Sequence, residues 1–258
     1  MKILQVRNLT KQFGGLTATS HIDMDVEKGS ITAVIGPNGA GKTTFFNMMT
    51  AVYKPTEGDI LLNGQSLIGL KPHEISRVGI TRTFQNIRLF NEMTVLENVL
   101  VGMHQNLKSY WIGTLLQFPG VMKREREAQV QAYRLLEYVG LQDYVNEGAG
   151  NLAYGQQRRL EIARALAAKP QLLLLDEPAA GMNPKETKKL TNLIYDMRSR
   201  LNLTIILIEH DMRLVMEISD FIYVLSYGKL IASGTPDEIR HNDAVVKAYL
   251  GKGTAANG

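Results

Sequence analysis

The sequence predicts an α/β fold in which helices cover a mostly parallel sheet. Four short apolar runs, at residues 31–35, 172–175, 204–208 and 221–225, have the length and composition of buried strands. Segments with helical periodicity separate them, among them Lys42 to Thr50 and Met212–Ile218. Strands that alternate with helices in this way form parallel sheets with both faces covered.

Two further pieces are expected beside this sheet. Asn63-Gly64 is a hairpin signal within residues 59–67, and similar signals near both ends predict an antiparallel β subdomain. The segment from about Thr94 to Leu141 is mostly helical and interrupts the strand–helix alternation. We therefore expect one domain over residues 1–250, with an inserted helical subdomain at about 92–160 and a flexible tail at 251–258.

Composition narrows the class of protein. The chain has 258 residues, of which 45% are hydrophobic and 21% charged, as is usual for soluble globular proteins. No apolar run approaches the roughly 18 residues that span a bilayer, and the first residues lack the apolar core of a signal peptide. The absence of cysteine excludes disulfides and thiolate metal sites. The net charge of +4 is most simply explained by charged side chains on a solvated surface. The alternative is a basic surface that binds a nucleotide, an anionic lipid or a nucleic acid.

The first motif that carries chemistry is GPNGAGKT at residues 36–43, between a predicted strand and a predicted helix. Its glycines allow backbone N–H groups to turn toward phosphate oxygens, and the helix N-terminus favours negative charge. Lys42 can reach the β- and γ-phosphates, and the Thr43 hydroxyl can bind Mg²⁺. A plain glycine turn is the alternative, but the motif and its context predict a P-loop NTPase with a RecA-like core.

Two carboxylates, Asp176 and Glu177, follow the apolar run at 172–175. In an open parallel sheet, ligands bind at the edge where strands end. Asp176 fits a carboxylate that positions a metal ion, and Glu177 could polarise an attacking water. An Asp-Glu pair after a strand more often only marks the start of a loop. In a chain that also has a phosphate loop, a functional role is the better interpretation. His210, after the run at 204–208, could sense the γ-phosphate.

At this point the chain resembles the ATP-binding-cassette family from residue 1 to about 250. The matching pieces are GPNGAGKTT (36–44), TFQ (83–85), AYGQ (153–156), LLLLDEP (172–178) and EHD (209–211). Longer phrases look like a subunit of the bacterial branched-chain amino acid importers: RTFQNIRLFNEMTVLENVLVG, AYGQQRRLEIARALA, DEPAAGMNP, IEHDMRLVM and GTPDEIRHNDAVVKAYLG.

The resemblance implies ATP and Mg²⁺ as cofactors and gives individual residues roles. Phe13 would stack on adenine, although it could instead be a core aromatic of the N-terminal hairpin. Glu177 would be the catalytic carboxylate and His210 the switch histidine. Gln85 would contact Mg²⁺, together with Thr43 and Asp176, and also the attacking water. The phosphates would be held by Gly36, Pro37, Asn38, Gly39, Ala40, Gly41, Lys42, Thr43 and Thr44.

In this family two such domains enclose two ATP molecules, so each phosphate loop faces the signature of the other subunit. Here the signature is Ala153, Tyr154, Gly155 and Gln156, in which Ala153 replaces the serine that donates to the γ-phosphate. Losing a hydrogen bond to a charged group costs roughly 1.5–3 kcal/mol, or about 10- to 150-fold in binding. The Tyr154 hydroxyl or a water could replace it. A second departure is Asn183, where the family usually has an acidic residue.

A homodimer would lack the serine at both sites. We therefore expect a heterodimer with a related but different ATPase subunit, and a homodimer as possible for the isolated chain. The other expected partners are membrane permease subunits and, indirectly, a substrate-binding protein, with no nucleic acid. The expected location is the cytoplasmic face of the inner membrane, as a peripheral subunit.

Two interpretations of other features remain open. The segment His104–Met122 contains the only tryptophan, Trp111, and is either subdomain core or a contact surface for the permease. The leading function is the ATPase of an importer. The alternatives are the ATPase of a lipid or lipopolysaccharide exporter and, in a different class, a DNA-associated ATPase, which a spacing of 113 residues between Lys42 and Gly155 (155 − 42) without heptads disfavours.

Overall fold

A computed structural model of the chain describes residues 1–103 and 119–250. Its larger sheet has six strands: β3 (Ile31–Ile35), β6 (Ile80–Arg82), β7 (Leu172–Asp176), β8 (Thr204–Ile208), β9 (Phe221–Ser226) and β10 (Lys229–Gly234). Their order is β10-β9-β3-β8-β7-β6. The pairs from β9 to β6 are parallel, and β10 pairs antiparallel with β9. The predicted mostly parallel sheet is confirmed.

A second, antiparallel sheet contains β1 (Lys2–Phe13), β2 (Leu16–Glu27), β4 (Glu57–Leu62) and β5 (Gln65–Ser66), in the order β2-β1-β4-β5. The predicted hairpin joins β4 to β5. Asn63 and Gly64 have φ angles of 50° and 81°, the two positive values that a type I′ turn requires.

Helices cover both faces of the larger sheet and fill the insertion. Among the described residues they are α1 (Lys42–Met49), α2 (Pro72–Arg77), α3 (Val95–Met103), α4 (Pro119–Tyr138), α5 (Tyr154–Ala167), α6 (Pro184–Leu201), α7 (Met212–Ile218), α8 (Pro236–Arg240) and α9 (Asp243–Leu250). No helix in this part of the chain is long and apolar enough to cross a membrane.

The strands of the larger sheet separate two hydrophobic cores. In β7, Leu172 and Leu174 pack into the core shared with α1 and the antiparallel sheet, whereas Leu173 and Leu175 pack into the core on the α6 and α7 side. Side chains of a strand point alternately to its two faces, so a strand buried on both faces is apolar throughout. This burial explains why the strands were visible as continuous apolar runs.

A third core lies within the segment expected to form the helical subdomain. It contains side chains of α3, α4 and α5, including Val99, Leu136 and Leu160. Residues 104–118, and with them Trp111 and most of His104–Met122, lie outside the described residues.

One expectation for α5 is wrong. The helical spacing of its apolar residues predicts that Arg158, Arg159 and Glu161 point away from them. The structure buries Arg158 and Glu161, which are 0% and 2% exposed. The two side chains form an ion pair between Arg158 Nη1 and Glu161 Oε2, 2.7 Å apart. Periodicity fails here because the helix packs against two hydrophobic cores and also against the backbone of residues 84 and 85, and a charged residue can be buried when its partner is buried with it.

Candidate functional site

The glycine-rich loop leaves the end of β3 and enters α1, as its motif predicts. A Cβ atom on Gly36 would lie 2.1 Å from the carbonyl oxygen of Leu225, so only glycine lets the loop approach β9. Gly39 has a φ of 80°, which glycine adopts without steric cost, and nothing lies within 4 Å of the position its Cβ would take. The loop is therefore packed against the sheet on one side and open on the other.

Lys42 lies within this loop rather than extended into solvent. Its Nζ donates to the carbonyl oxygens of Gly36, at 2.7 Å, and Pro37, at 3.0 Å. Asn38, Gly39 and Thr43 are exposed, whereas Ala40 and Lys42 are buried. Since the first backbone N–H groups of α1 have no preceding turn to bond to, the helix start presents donors beside an ammonium group. This arrangement fits a polyphosphate.

Asp176 lies at the end of β7 and is buried against an arginine that the sequence had not singled out. Its Oδ2 accepts from Arg82 Nη2 at 2.5 Å, and Arg82 Nη1 donates to Asn47 Oδ1 of α1 at 2.7 Å. The side chains of Arg82 and Asp176 are only 7% and 4% exposed. Arg82 thus connects the helix of the phosphate loop to the predicted metal-positioning carboxylate.

The three predicted catalytic side chains lie together at the carboxyl edge of the sheet. Glu177 Oε2 accepts from Gln85 Nε2 at 2.8 Å, and Glu177 Oε1 lies 2.6 Å from His210 Nε2. Glu177 has a φ of 47°, a left-handed conformation rare outside glycine, and such strain is found at functional sites. The amide and the imidazole hold a carboxylate where it could orient a water.

Glu209 supports this cluster and was not identified as a functional candidate. It is buried, and its carboxylate accepts from the backbone N–H of Ala179 at 2.8 Å and of His210 at 2.9 Å. These bonds connect the loop that follows Glu177 to the backbone of His210. Its position directly after a buried strand could have indicated a functional role, but only the adjacent His210 was given one.

Phe13 is at the end of β1 and is 41% exposed, so the alternative of a core aromatic is wrong. Its ring stands edge-on to that of Tyr53, with centroids 5.2 Å apart, and Lys11 Nζ lies 4.9 Å from its centroid. An exposed ring face beside a cation suits stacking with a base.

The signature lies at the N-terminus of α5. Ala153 is the N-cap residue and has no side-chain acceptor for the helix, although its N–H donates to Gln156 Oε1 at 3.0 Å. A Cβ on Gly155 would lie 2.9 Å from Glu186 Oε1, and the Tyr154 ring lies beside Gly181. Hence the signature contacts the loop after β7 and the start of α6.

Tyr154 does not direct its hydroxyl to the tip of the helix. The oxygen accepts from Arg158 Nη2 at 3.4 Å, one turn further along α5. The side chain is 43% exposed. The hydroxyl proton remains available to another acceptor, so replacement of the missing serine by Tyr154 stays a prediction.

Asn183 is more than a missing acidic residue. It is the N-cap of α6, and its Oδ1 accepts from the backbone N–H groups of Lys185 and Glu186, both at 3.0 Å. Asparagine and aspartate are equally good N-caps, so the substitution keeps the helix start and removes only the charge.

A groove of about 430 Å³ lies beside the segment that carries Gln85. Its lining is mostly apolar, with Phe90 and Val101 among the apolar side chains, and its charged side chains are Arg82, Arg88, Arg164 and the buried Glu161. Arg88 lies over the Phe84 ring at 4.4 Å, and Arg164 over the Phe90 ring at 5.6 Å. The groove therefore adjoins the residue next to Gln85.

The donor set also fits the cofactors that the sequence predicts. The glycine loop, Lys42 and the start of α1 suit the phosphates of a nucleotide. Mg²⁺ is usually bound by one or two carboxylates together with phosphate oxygens. The exposed Thr43 hydroxyl, the Gln85 amide and the Asp176 carboxylate are oxygen donors of the kind that it prefers.

A parallel sheet with this loop, a buried aspartate two strands away and a hydrogen-bonded glutamate beside it defines a P-loop nucleotide triphosphatase domain. Residues 19–180 match the family model described as ABC transporter, and residues 229–255 match that of the branched-chain amino acid ATP-binding cassette transporter.

Individual relatives agree over nearly the whole length. The chain is 52% identical over 250 residues to the high-affinity branched-chain amino acid transport ATP-binding protein BraF of Pseudomonas aeruginosa and, equally, to LivG of Escherichia coli K12, covering 97% of this chain and 98% of each relative. A crystal structure of the ADP conformation of an ATP-binding cassette superposes with a TM-score of 0.84 at 32% identity, covering 97% of this chain and 99% of that one. The chain belongs to the ABC transporter family, and the predicted family and fold are confirmed.

Proposed function

We propose that this chain is the ATP-hydrolysing subunit of a membrane importer whose substrates are branched-chain amino acids. The observation that carries the hydrolytic part is the Glu177 carboxylate, held between the Gln85 amide and the His210 imidazole. The substrate class is supported by the relatives, since BraF and LivG are branched-chain amino acid transport ATP-binding proteins.

In this proposal the nucleotide lies between the phosphate loop and Phe13. Residues Gly36 to Thr44 and the first turn of α1 bind the phosphates, and Lys42 exchanges its loop carbonyl partners for phosphate oxygens. Phe13 stacks on the adenine. Thr43, Gln85 and Asp176 would hold Mg²⁺, which would supply charge stabilisation to the transferred phosphoryl group.

The catalytic roles follow from chemistry and position. Glu177 orients and polarises the attacking water, Gln85 positions it, and His210 holds the carboxylate from the other side. Positioning and electrostatic stabilisation account for most of the catalysis of phosphoryl transfer, so a preformed cluster of this kind suits the reaction.

The proposed partners are permease subunits and a second ATPase subunit. The groove beside Phe84 and Phe90 suits a permease segment with apolar and acidic side chains, because its lining is mostly apolar and its charged side chains are three arginines and one buried glutamate. It is lined by Phe84, the residue before Gln85, so a partner seated there would contact the segment that carries a catalytic side chain. The chain would then act at the cytoplasmic face of the membrane, with a substrate-binding protein as an indirect partner.

The experiment is ATP-dependent leucine uptake and phosphate release in proteoliposomes by the chain reconstituted with its permease, its binding protein and the partner ATPase subunit, the last carrying an inactive site of its own. Glu177→Gln keeps a side chain that can hydrogen-bond but removes the carboxylate. We expect phosphate release to fall by about 100-fold or more while ATP binding is retained. Uptake should fall in parallel, since hydrolysis drives it.

The matched control is Glu217→Gln, an exposed glutamate that pairs with Lys188 on the surface. It should leave both rates within about twofold of the unsubstituted chain. Retained phosphate release in Glu177→Gln would contradict the hydrolytic role, and ATP-dependent uptake of other solutes but not leucine would contradict the substrate.

A further inference from the structure

The buried ion pair of α5 is directed at one segment of the chain. Arg158 Nη1 donates to the carbonyl oxygen of Phe84 at 2.6 Å, and Nη2 donates to that of Gln85 at 2.8 Å. Glu161 Oε1 in turn accepts from the backbone N–H of Phe84 at 3.2 Å. Two side chains of one helix therefore bind three backbone groups of two consecutive residues.

The segment held in this way has no regular structure of its own. Residues 83–91 lie between the end of β6 and the approach to α3, outside any helix or strand. Such a segment needs side-chain partners for its backbone groups. Hydrogen bonds to charged groups are about twice as strong as neutral ones, so the pair fixes these two residues more firmly than a typical loop contact would.

The same two residues include the side chain that reaches Glu177. Gln85 Nε2 donates to Glu177 Oε2 at 2.8 Å, while the Gln85 carbonyl is bound by Arg158. The guanidinium also donates to the Tyr154 hydroxyl in the signature, at 3.4 Å. One buried arginine thus contacts the start of α5 and the backbone of the residue whose amide binds the catalytic carboxylate.

We propose that Arg158 and Glu161 are positioning residues that set the place of the Gln85 amide from helix α5. The inference rests on the proposed function, because its consequence is for hydrolysis. A shift of α5 relative to the sheet would move Phe84 and Gln85 with it. Contact of the signature with a nucleotide and placement of Gln85 would then be mechanically connected within one subunit.

A plain stabilising role is the competing interpretation, since a broken buried ion pair costs several kcal/mol in any protein. The two roles differ in where the loss appears. A stabilising pair affects the free energy of unfolding in every background, whereas a positioning pair affects turnover only when Gln85 is present to be positioned.

The test is Arg158→Lys in the full chain, alone and combined with Gln85→Ala, measured as kcat and KM for ATP. Lysine keeps the charge but cannot bind both carbonyl groups at once. With Gln85 present we expect kcat to fall on the order of tenfold, from loss of one charge-assisted hydrogen bond, with KM changed less than about twofold. With Gln85→Ala in place, Arg158→Lys should lower kcat no further.

Arg159→Lys is the matched control on the same helix. Arg159 also donates to two carbonyl oxygens, those of Val139 and Gly140 at 2.8 and 3.2 Å, but these belong to the end of the insertion. It should leave kcat within about twofold of that of the unsubstituted chain.

Amide hydrogen exchange of the nucleotide-free chain gives a second measurement that does not depend on activity. Glu161→Gln weakens the acceptor for the Phe84 N–H, so we expect faster exchange at residues 84–88 with unchanged protection of β7 and β8. This variant also serves if Arg158→Lys does not fold. Equal loss of kcat in both Gln85 backgrounds, or faster exchange throughout the chain, would overturn the proposal. Absence of ATP turnover in the unsubstituted chain would instead contradict the proposed function.

Discussion

At the scale of single residues, Arg82 competes with any metal ion for the Asp176 carboxylate. Arg82 Nη2 lies 2.5 Å from Asp176 Oδ2, and both side chains are buried, so the pair is weakly screened by solvent. Arg82 is further held by Asn47 of the phosphate-loop helix. A cation that draws on the charge of Asp176 must therefore share it with a guanidinium fixed by two elements.

This competition predicts an effect of Arg82→Met on metal-dependent nucleotide binding. Without the guanidinium, the nucleotide-free chain holds an uncompensated buried carboxylate, which typically costs 3–5 kcal/mol. Mg²⁺ with ADP would offset part of that cost. We expect a lower melting temperature for the nucleotide-free variant, and a larger rise on adding Mg²⁺ and ADP than in the unsubstituted chain.

Differential scanning fluorimetry with and without Mg²⁺ checks this, because ADP alone should not show the difference. Arg198→Met removes another arginine paired with an aspartate, Asp220 at 3.3 Å, and should leave the rise unchanged. A smaller rise in Arg82→Met than in the unsubstituted chain would mean that Arg82 orients Asp176 for the metal instead of competing with it.

Residue types in motifs were predictable, but their pairings were not. Asp176, Glu177, Gln85 and His210 were identified because a glycine loop and apolar strands mark where such side chains must lie. Arg82 was missed because its partner is 94 positions away in sequence, and nothing local distinguishes a buried arginine at the end of a short strand from an exposed one. Arg158 and Glu161 were misplaced for a different reason: they pair with each other, but the backbone of residues 84 and 85 that covers them is more than 70 positions away in sequence.

At the scale of elements, the start of α6 depends on Asn183. Its side chain satisfies two N–H groups that no helical turn can bond, and Glu186 completes the reciprocal bond to the Asn183 N–H at 3.1 Å. Glu186 also lies against Gly155 of the signature. The capping of α6 thus helps to set the position of a side chain that contacts α5.

We expect Asn183→Ala to lower the free energy of unfolding by about 1 kcal/mol, the usual cost of losing an N-cap side chain. Asn183→Asp keeps the acceptor, restores the acidic residue that the family usually has, and should preserve stability. Urea unfolding monitored by circular dichroism measures both variants. If Asn183→Asp were as destabilised as Asn183→Ala, the cap would not be what Asn183 provides.

Elements differ in how visible they are in the sequence. The predicted strands at 172–175 and 221–225 each extend one residue further in the structure, and the helix from Lys42 ends at Met49, with Thr50 as its C-cap. β6 was not predicted, because it has three residues and pairs on one side only. Long segments that are buried on both faces leave a periodic signal, whereas a short edge strand depends on its neighbour.

At the scale of the molecule, α5 is shared by two hydrophobic cores. Ile162 and Leu166 pack with the larger sheet, whereas Leu160 and Ala167 pack with the helical insertion. The signature at the N-terminus of this helix is therefore joined to both parts. In the proposed dimer, the groups at its tip would face the nucleotide bound by the second subunit.

The N-cap residue of α5 has no side-chain acceptor for the first N–H groups of the helix, and one substitution would provide it. Ala153 is at the N-cap, where serine would accept from the following N–H groups and could also donate its hydroxyl proton to a phosphate across a dimer interface. In the isolated chain carrying Glu177→Gln, Ala153→Ser should strengthen each of the two sites of an ATP-bound homodimer by about 10- to 150-fold, the value of one hydrogen bond to a charged group, and so strengthen self-association by about 100-fold or more. Analytical ultracentrifugation with ATP measures the dimer constant.

Ala153→Asp separates the two effects of the serine. Aspartate caps the helix equally well but has no proton to donate and adds a negative charge, so it should raise the melting temperature without strengthening the dimer. If serine and aspartate had the same effect on self-association, the donor would be irrelevant and the argument for an unlike partner would fail. If only serine strengthens the dimer, the donor matters. A partner subunit that carries the serine would then form one strong site, in which its serine faces the phosphate loop of this chain. The Ala153 site would remain the weaker of the two, which is the asymmetry expected of the proposed heterodimer.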